Sequence, residues 1–525
     1  MMERTLRRAL TLALSVTTAG TLLAACSSSQ PAAGSQSAGG SAAPATDKPL
    51  RVLQAFSPST FNQNVDPTRT MIRIDSQVLD TATRYVGTGE DLKLEPWLAT
   101  EWKQTDPNTW RFKVRPNVKF TNGEALTAEA FKSTLDSVLG KKDGKVRSHY
   151  TNLSIKVVDD LTFDVVTRDK NDGSVPAQLS ALYILPPKYL AEVGPEKFGQ
   201  QPIGTGAYKV SEFVPGSKVT LTANPDFWGA TKPTIPTITV EGVADPSTRV
   251  SQLMSGSADL IDGVPGDLLS RLQDATNVEV RKTPTVERTF VLINAKSGAT
   301  ADVNVRKAIN MAIDRDSIVK LIMGGNAVAN QGLWVPLEGG YQENFAPYPY
   351  SPDEARKLVD AAGPAAKEKL MLYYSTEFPM YAKLAQAIQS QLQAIGLTVE
   401  LESGTSAPLL SKLKESKTGG LAIWNFGPGY IDSSYQMHIY FVKGSGYGVL
   451  AGNDELTALA TQAQATSDPA ARAELYTKIQ QNAIADNAFE APLFRNVDMW
   501  GASKSLNWKP SATGDYNFAT TKFSG

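Results

Sequence analysis

Cysteine occurs once in 525 residues, at Cys26, and histidine twice, at His149 and His438. A zinc-type site draws three or four Cys, His or carboxylate ligands together, so no Cys/His metal set can be written. A single thiol also excludes an internal disulfide. Two histidines leave a Ser-His-Asp triad almost no choice of base, and no G-x-S-x-G elbow is present. Glycine-rich phosphate loops are missing as well: "PIGTGAYKV" at 202–210 puts Lys209 where G-x-G-x-x-G needs its third glycine, no Walker lysine follows, and "KGSGYG" at 443–448 reads as a turn. Charge of one sign is not in excess, with 52 Lys and Arg against 53 Asp and Glu. That balance is far from the basic surplus of a nucleic-acid binder. Paired carboxylates of the glycosidase kind are not decided by spacing, because separation in space sets that chemistry. The expectation is binding without turnover: no catalytic residue, no metal, no cofactor, no nucleic acid.

What is present begins with an export signal. Arg4, Arg7 and Arg8 form a basic n-region, residues 9–25 a small and apolar run, and Leu23-Ala24-Ala25 a small-residue cut site. The run is too short to span a bilayer comfortably. Cys26 at the cut resembles the lipobox of bacterial lipoproteins, which implies lipid attachment at Cys26 and tethering to the outer face of the cytoplasmic membrane, the lipid being the only membrane contact. Stable anchoring takes more than one acyl chain, each methylene contributing roughly 0.8 kcal/mol. Residues 26–49, nearly all Ser, Ala, Gly, Pro and Gln after the cysteine, cannot bury enough apolar surface to order themselves and read as a disordered linker. Loss of residues 1–25 removes three arginines and one glutamate, leaving 49 cations, 52 anions and a formal charge of −3.

The remaining chain alternates β-rich runs with capped amphipathic helices, an α/β pattern. Strands are expected at 51–55, 110–114, 161–166, 218–223, 238–243, 289–294, 370–374, 397–402 and 421–425. Ser351 with Pro352 and Glu354 opens a helix that Gly363-Pro364 stops. Val305, Ala308, Ile309, Ala312 and Ile313 recur at helical spacing behind Asp302, and Tyr381, Leu384, Ala385, Ile388, Leu392 and Ile395 do so before Gly396. Residues 370–402 read strand, helix, glycine stop, strand, the pattern of a crossover joining parallel strands. Asn122-Gly123 marks a turn before a helix carrying Phe131, Leu135 and Val138 on one face, and Asp245-Pro246 opens another helix.

Four blocks point to one family. "LATEWKQTDPNTWRFKVRPNVKFTNGEALTAEAF" (98–131), "PIGTGAYKVSEFVPGSKVTLTANPDFWG" (202–229), "DPSTRVSQLMSGSADLIDGVP" (245–265) and "VRKAINMAIDRDSIVKLIMGG" (305–325) resemble, in order, the family 5 extracellular solute-binding proteins of ABC importers, the oligopeptide, dipeptide and nickel binders. The resemblance implies a two-lobed, Venus-flytrap fold with an extra domain inserted in the first lobe. Mapped here, lobe I comprises 50–65, 201–285 and 488–525, the insert 66–200, and lobe II 286–487. It further implies a monomer that closes on a solute and hands it to ABC permease and ATPase subunits. Oligopeptide is the first choice, with modified peptide or glycoside as substrate alternatives, and a solute-sensing lipoprotein or a secreted hydrolase on the same fold as functional alternatives.

Recognition is expected at "LAIWNFGPGYIDSSY", where a hydrophobic strand ends in Trp424, Asn425 and Phe426, turns at Gly427-Pro428-Gly429 and presents Tyr430 and Asp432. Ligands favour such strand ends. Peptide-binding relatives carry an acid in this turn for the peptide ammonium; Gly429 stands there instead, and Ile423 stands where some members have arginine. Asp432 is the acid available as a substitute. By the same mapping Met71, Arg73 and Tyr150 form the opposite wall, Arg73 as a fork for a ligand carboxylate.

Overall fold

A computed structural model describes residues 48–524 apart from 444 and 449. The expected signal at 1–25, Cys26 and the linker as far as residue 47 lie outside the described residues. Among the described residues no helix is long and apolar enough to cross a membrane.

The largest element is a mixed sheet of eleven strands. Its axis is a pair of long antiparallel strands, Val278–Ile293 and Glu490–Ser503. Residues 278–284 run against 497–503; past a register shift between Pro284 and Arg288, residues 288–292 run against 490–495. Proline lacks the N–H that a ladder needs, so a shift of pairing at Pro284 is where a central strand can hold it. The two strands thereby serve two groups of neighbours. On one side lie 260–261, 50–54, 237–242, 218–223 and 208–214; on the other lie 421–426, 370–375 and 399–404.

Side chains alternate along these strands and feed separate cores. Trp500 and Ala502 pack with Leu50, Val52, Ile238 and Val240. Val291, Ile293 and Leu493 pack with Val305 and Ile309 of the helix Val303–Ala312 and with Leu384 and Ile388 of the helix Tyr381–Ala394. Phe290 and Leu292, facing the other way, meet Tyr440, Tyr476 and Ile479. Full burial of one such aliphatic or aromatic side chain contributes roughly 1.5–3 kcal/mol.

The strands Leu370–Ser375 and Val399–Gly404 are parallel, with the helix Tyr381–Ala394 between them in sequence, as their pattern predicts. Asp245 and Asp302 cap their helices through the N–H groups of Thr248 and Asn304, each at 2.7 Å. Ser351 does not: its side chain makes no cap bond, and its backbone instead donates to the Met311 carbonyl and accepts from Ala355 N–H. The expected strand at 289–294 proves to be only the end of the sixteen-residue strand that begins at Val278. Glu279, Arg281, Lys282 and Glu287 hide its first half from hydrophobic patterning.

A second, four-stranded sheet runs 99–106, 109–114, 162–167, 153–159 in that spatial order. The helix Ala128–Gly140 covers it, burying Phe131, Leu135 and Val138. Phe163 stacks between Phe131 at 4.5 Å and Phe112 at 5.3 Å between ring centres.

Candidate functional site

A partly open cleft of about 390 Å³ lies between two groups of segments. One wall comes from the helix Arg69–Val78 and the chain that follows it, from residues 145–150 and from 180–183; the other comes from 286–287 and the turn 427–431 with Tyr435. Thr513 and Asp515 complete the enclosure. The volume falls at the lower end of the range for small-molecule sites.

Hydrogen bonds tie the walls together. The Tyr85 hydroxyl donates to the Ile431 carbonyl at 2.7 Å. The Tyr435 hydroxyl stands 2.9 Å from His149 Nε2, with the Tyr430 and Tyr435 rings nearly perpendicular to the imidazole. Arg69 reaches Asp498 at 3.0 Å and Glu287 at 3.4 Å, and Arg495 pairs with Glu90. Leu92, Val286, Val335, Ile431 and Ala512 join in an apolar patch beside them. Together these contacts describe a closed arrangement. Burial lowers the His149 imidazole from its ordinary value to about 4, so it is neutral at physiological pH.

Of the ten side chains expected to bind ligand, the structure brings Tyr150, Gly427, Gly429 and Tyr430 onto this cavity. The others are set back, each for a physical reason. Arg73 is buried, with Nη1 on Asp262 at 2.8 Å, Nη2 on Asp498 at 3.3 Å, Nε on the Gly514 carbonyl at 3.2 Å, and its plane 4.5 Å from the Trp500 ring centre. All three nitrogens of its fork are engaged within the protein, and the residue is only 6 % exposed. Asp432 does not replace the acid missing at Gly429, because it caps the helix Ser433–Tyr440 through Ser434 N–H at 2.9 Å and takes Arg472 bidentately at 2.7 and 2.8 Å. Met71 is a core residue. Phe426 and Trp424 pack into the core behind the turn, Trp424 against Tyr447 at 5.8 Å, and Asn425 is in the ladder opposite Thr289.

Gly429 itself has a steric explanation. A Cβ built there would stand 2.6 Å from His149 Cε1, closer than two carbons can approach. The space that an acid would occupy in this turn is filled by the imidazole from the opposite wall.

Four acids line the cavity, and three are satisfied. Asp80 accepts from Trp97 at 2.6 Å, Thr205 at 2.7 Å and Trp228 at 3.1 Å. Glu287 pairs with Arg69 and Asp515 accepts from Thr513 at 3.0 Å. Asp75, only 1 % exposed, has an Oδ1 with no hydrogen-bond partner, and among the described residues no cation pairs with it. Burial, aided by the charge of Asp66, holds its carboxyl well above the ordinary range.

Sequence reasoning passed over Asp75, Tyr85, His149 and Tyr435. A signal for the first was legible: Met71, Ile74, Asp75 and Val78 fall at i, i+3, i+4 and i+7, so an acid interrupts the buried stripe of its helix. His149 and Tyr435, 286 residues apart, carry no pairing signal.

The sequence profile described as "Bacterial extracellular solute-binding proteins, family 5 Middle" matches residues 93–448. The glutathione-binding protein GsiB of Escherichia coli (strain K12) is 25% identical over 439 residues, spanning 80% of this chain and 84% of that protein. The probable D,D-dipeptide-binding periplasmic protein DdpA of the same organism is 26% identical over 407 residues, spanning 75% and 77%. Among solved structures, the ABC transporter substrate binding protein CtaP of Listeria monocytogenes superposes with a TM-score of 0.80 at 21% identity, covering 91% of this chain and all but 1% of its own.

Proposed function

The chain belongs to the family 5 bacterial extracellular solute-binding proteins, ABC-importer components with a two-lobed α/β fold, and from that premise we propose that it captures a short peptide or peptide-like solute by closing its two lobes. The observation that carries this is the cleft whose walls are joined by Tyr85–Ile431 and His149–Tyr435. Residues 50–65, 201–285 and 488–525 would form lobe I, 66–200 the inserted domain and 286–487 lobe II, the shift of register at Pro284–Arg288 lying where the strands pass from one lobe to the other. Tyr150, Gly427, Gly429 and Tyr430 would contact the ligand.

Each wall offers a different half of the contacts, so a ligand gains the full set only when the lobes meet. Its differential affinity for the closed form shifts the population toward closure. Permease and ATPase subunits would then read the closed shape. Lipidated at Cys26 and tethered by 26–49, the body would search near the membrane without entering it. Relatives described as binding glutathione and D,D-dipeptides support small peptide-like cargo, as does the modest volume of the cavity.

Native mass spectrometry of the mature protein from its host tests the proposal. One small peptide-like molecule per chain, unchanged over hours, is expected. Recovery of processed product with loss of the bound molecule would refute capture without turnover.

A further inference from the structure

Solute capture leaves one surface feature unexplained. An open groove of about 630 Å³ lies where the first half of the strand Val278–Ile293 meets the chain beyond the strand Glu490–Ser503. Arg281, Lys282, Lys504 and Lys509 line it, and Glu279 is the one acid among its lining residues. Arg281 takes that acid at 2.6 Å and is held further by the Leu506 and Trp508 carbonyls. The three lysines are exposed. Lys282 donates to Asn326 Oδ1 at 2.7 Å and Lys504 to the Thr276 carbonyl at 2.9 Å, both uncharged acceptors. Among the described residues none of the three lysines is in an ion pair. Four cations against one acid give the groove a formal charge of +3, in a mature chain whose formal charge is −3. A basic groove on an acidic protein calls for an anionic partner.

The groove lies beside the start of the described chain. The Lys48 ammonium stands 2.9 Å from Asp259 Oδ1 and 4.0 Å from the centre of the Phe523 ring. The Asp259 carbonyl accepts the N–H of Ser503, the neighbour of Lys504, at 2.8 Å. Phe523 pairs with Leu506, and Leu506 and Ser524 are both on the groove wall. Residue 48 is also where the proposed tether joins the body, so the basic groove and the point of attachment share one face.

We propose that this groove is a docking surface for anionic phospholipid headgroups, so that the anchored body meets the membrane on the face carrying Lys282, Lys504 and Lys509. This rests on the lipid attachment at Cys26 assigned above and adds an orientation to it: a tether sets a distance, and a basic patch sets which face is presented. An acyl anchor joined to a basic patch is a combination that holds peripheral proteins on bilayers. An anionic leaflet attracts each lysine that comes within a Debye length of it. Leu506 and Trp508, the large apolar residues of the lining, are buried, so the contact is electrostatic and stays at the level of the headgroup phosphates.

The experiment is flotation of the mature chain carrying Cys26→Ser, and so free of lipid, with vesicles of phosphatidylcholine alone or mixed with phosphatidylglycerol. Binding is expected only where phosphatidylglycerol is present, and high salt should abolish it. Each of Lys282→Gln, Lys504→Gln and Lys509→Gln should weaken it roughly 5-fold, the attraction of one basic residue to an anionic leaflet. Lys383→Gln with Lys417→Gln, exposed lysines outside the groove lining, should leave it unchanged. Equal binding to both kinds of vesicle, or an equal loss in the Lys383 and Lys417 control, overturns the groove. Displacement by inorganic phosphate at matched ionic strength overturns the lipid surface in favour of a free-phosphate site. A groove that serves an acidic protein instead leaves both kinds of vesicle unbound, which also overturns the proposal. Mass spectrometry of the protein from its host reads the acyl group on Cys26 separately, so failure of the anchor and failure of the groove are told apart.

Discussion

Replacing Tyr435 by phenylalanine removes one oxygen atom and, with it, the bond between the walls at His149. In the open form of the proposed cycle both groups would face water and lose nothing. In the closed form His149 Nε2 is left buried without its partner, a penalty of roughly 1–3 kcal/mol. If the open form dominates before ligand arrives, that penalty passes directly to affinity, about 5- to 150-fold. The same latch has a pH dependence with a definite sign. The closed form holds His149 at about 4 against 6.5 for an exposed imidazole. A group whose value is depressed contributes to closure above pH 6.5, and the contribution is lost as pH falls toward 4. At pH 5 those two values weaken closure by about 20-fold relative to pH 7. Titration of one ligand across pH 7 to 5 in the unmodified protein, Tyr435→Phe and His149→Phe measures both effects, and the difference between the unmodified and His149→Phe profiles isolates the histidine. Affinity within twofold for Tyr435→Phe, together with identical pH profiles for all three proteins, would refute the latch.

Gly429→Ala puts a methyl group 2.6 Å from the His149 ring, so closure must shift one wall; affinity should fall about 5- to 150-fold, as overpacking by 1–3 kcal/mol implies, while circular dichroism of the unliganded protein stays unchanged. Arg288 and Glu490 form an ion pair at 2.6 Å with each side chain 1 % exposed. Arg288→Met strands a buried acid and should cost about 3–5 kcal/mol in urea unfolding, and Arg288→Met with Glu490→Leu should recover most of it. Phe163→Ala empties the centre of the stacked Phe131–Phe163–Phe112 group and should cost about 3–5 kcal/mol, seen as a lower denaturation midpoint.

Much of the scaffold was open to reading from local pattern. The stripes at 305–313 and 381–395, the aspartate cap at 245 and the parallel pair around 370–402 all form where periodicity and capping chemistry place them. Ser351 shows the limit of such rules, since its helix starts without its hydroxyl. At the site, the glycine turn was found and its neighbours were misread. Arg73 and Asp432 look available in sequence because their partners lie far off: Asp262 and Asp498 are 189 and 425 residues from Arg73, and Arg472 is 40 from Asp432. A charged side chain whose fork is full cannot receive a ligand, and only the fold reveals that it is full.

The sequence by itself determined the class of molecule. Its scarcity of cysteine, histidine and nucleophile motifs removed the common chemistries, and four ordered blocks carried the family, because capping, turn and core patterns are written within short stretches of chain. The tertiary structure alone decided which polar groups face the cavity and which of them are spent. Burial and pairing are properties of neighbours brought together across hundreds of residues, so the unpartnered Asp75 Oδ1 and the His149–Tyr435 bond exist only in the folded chain.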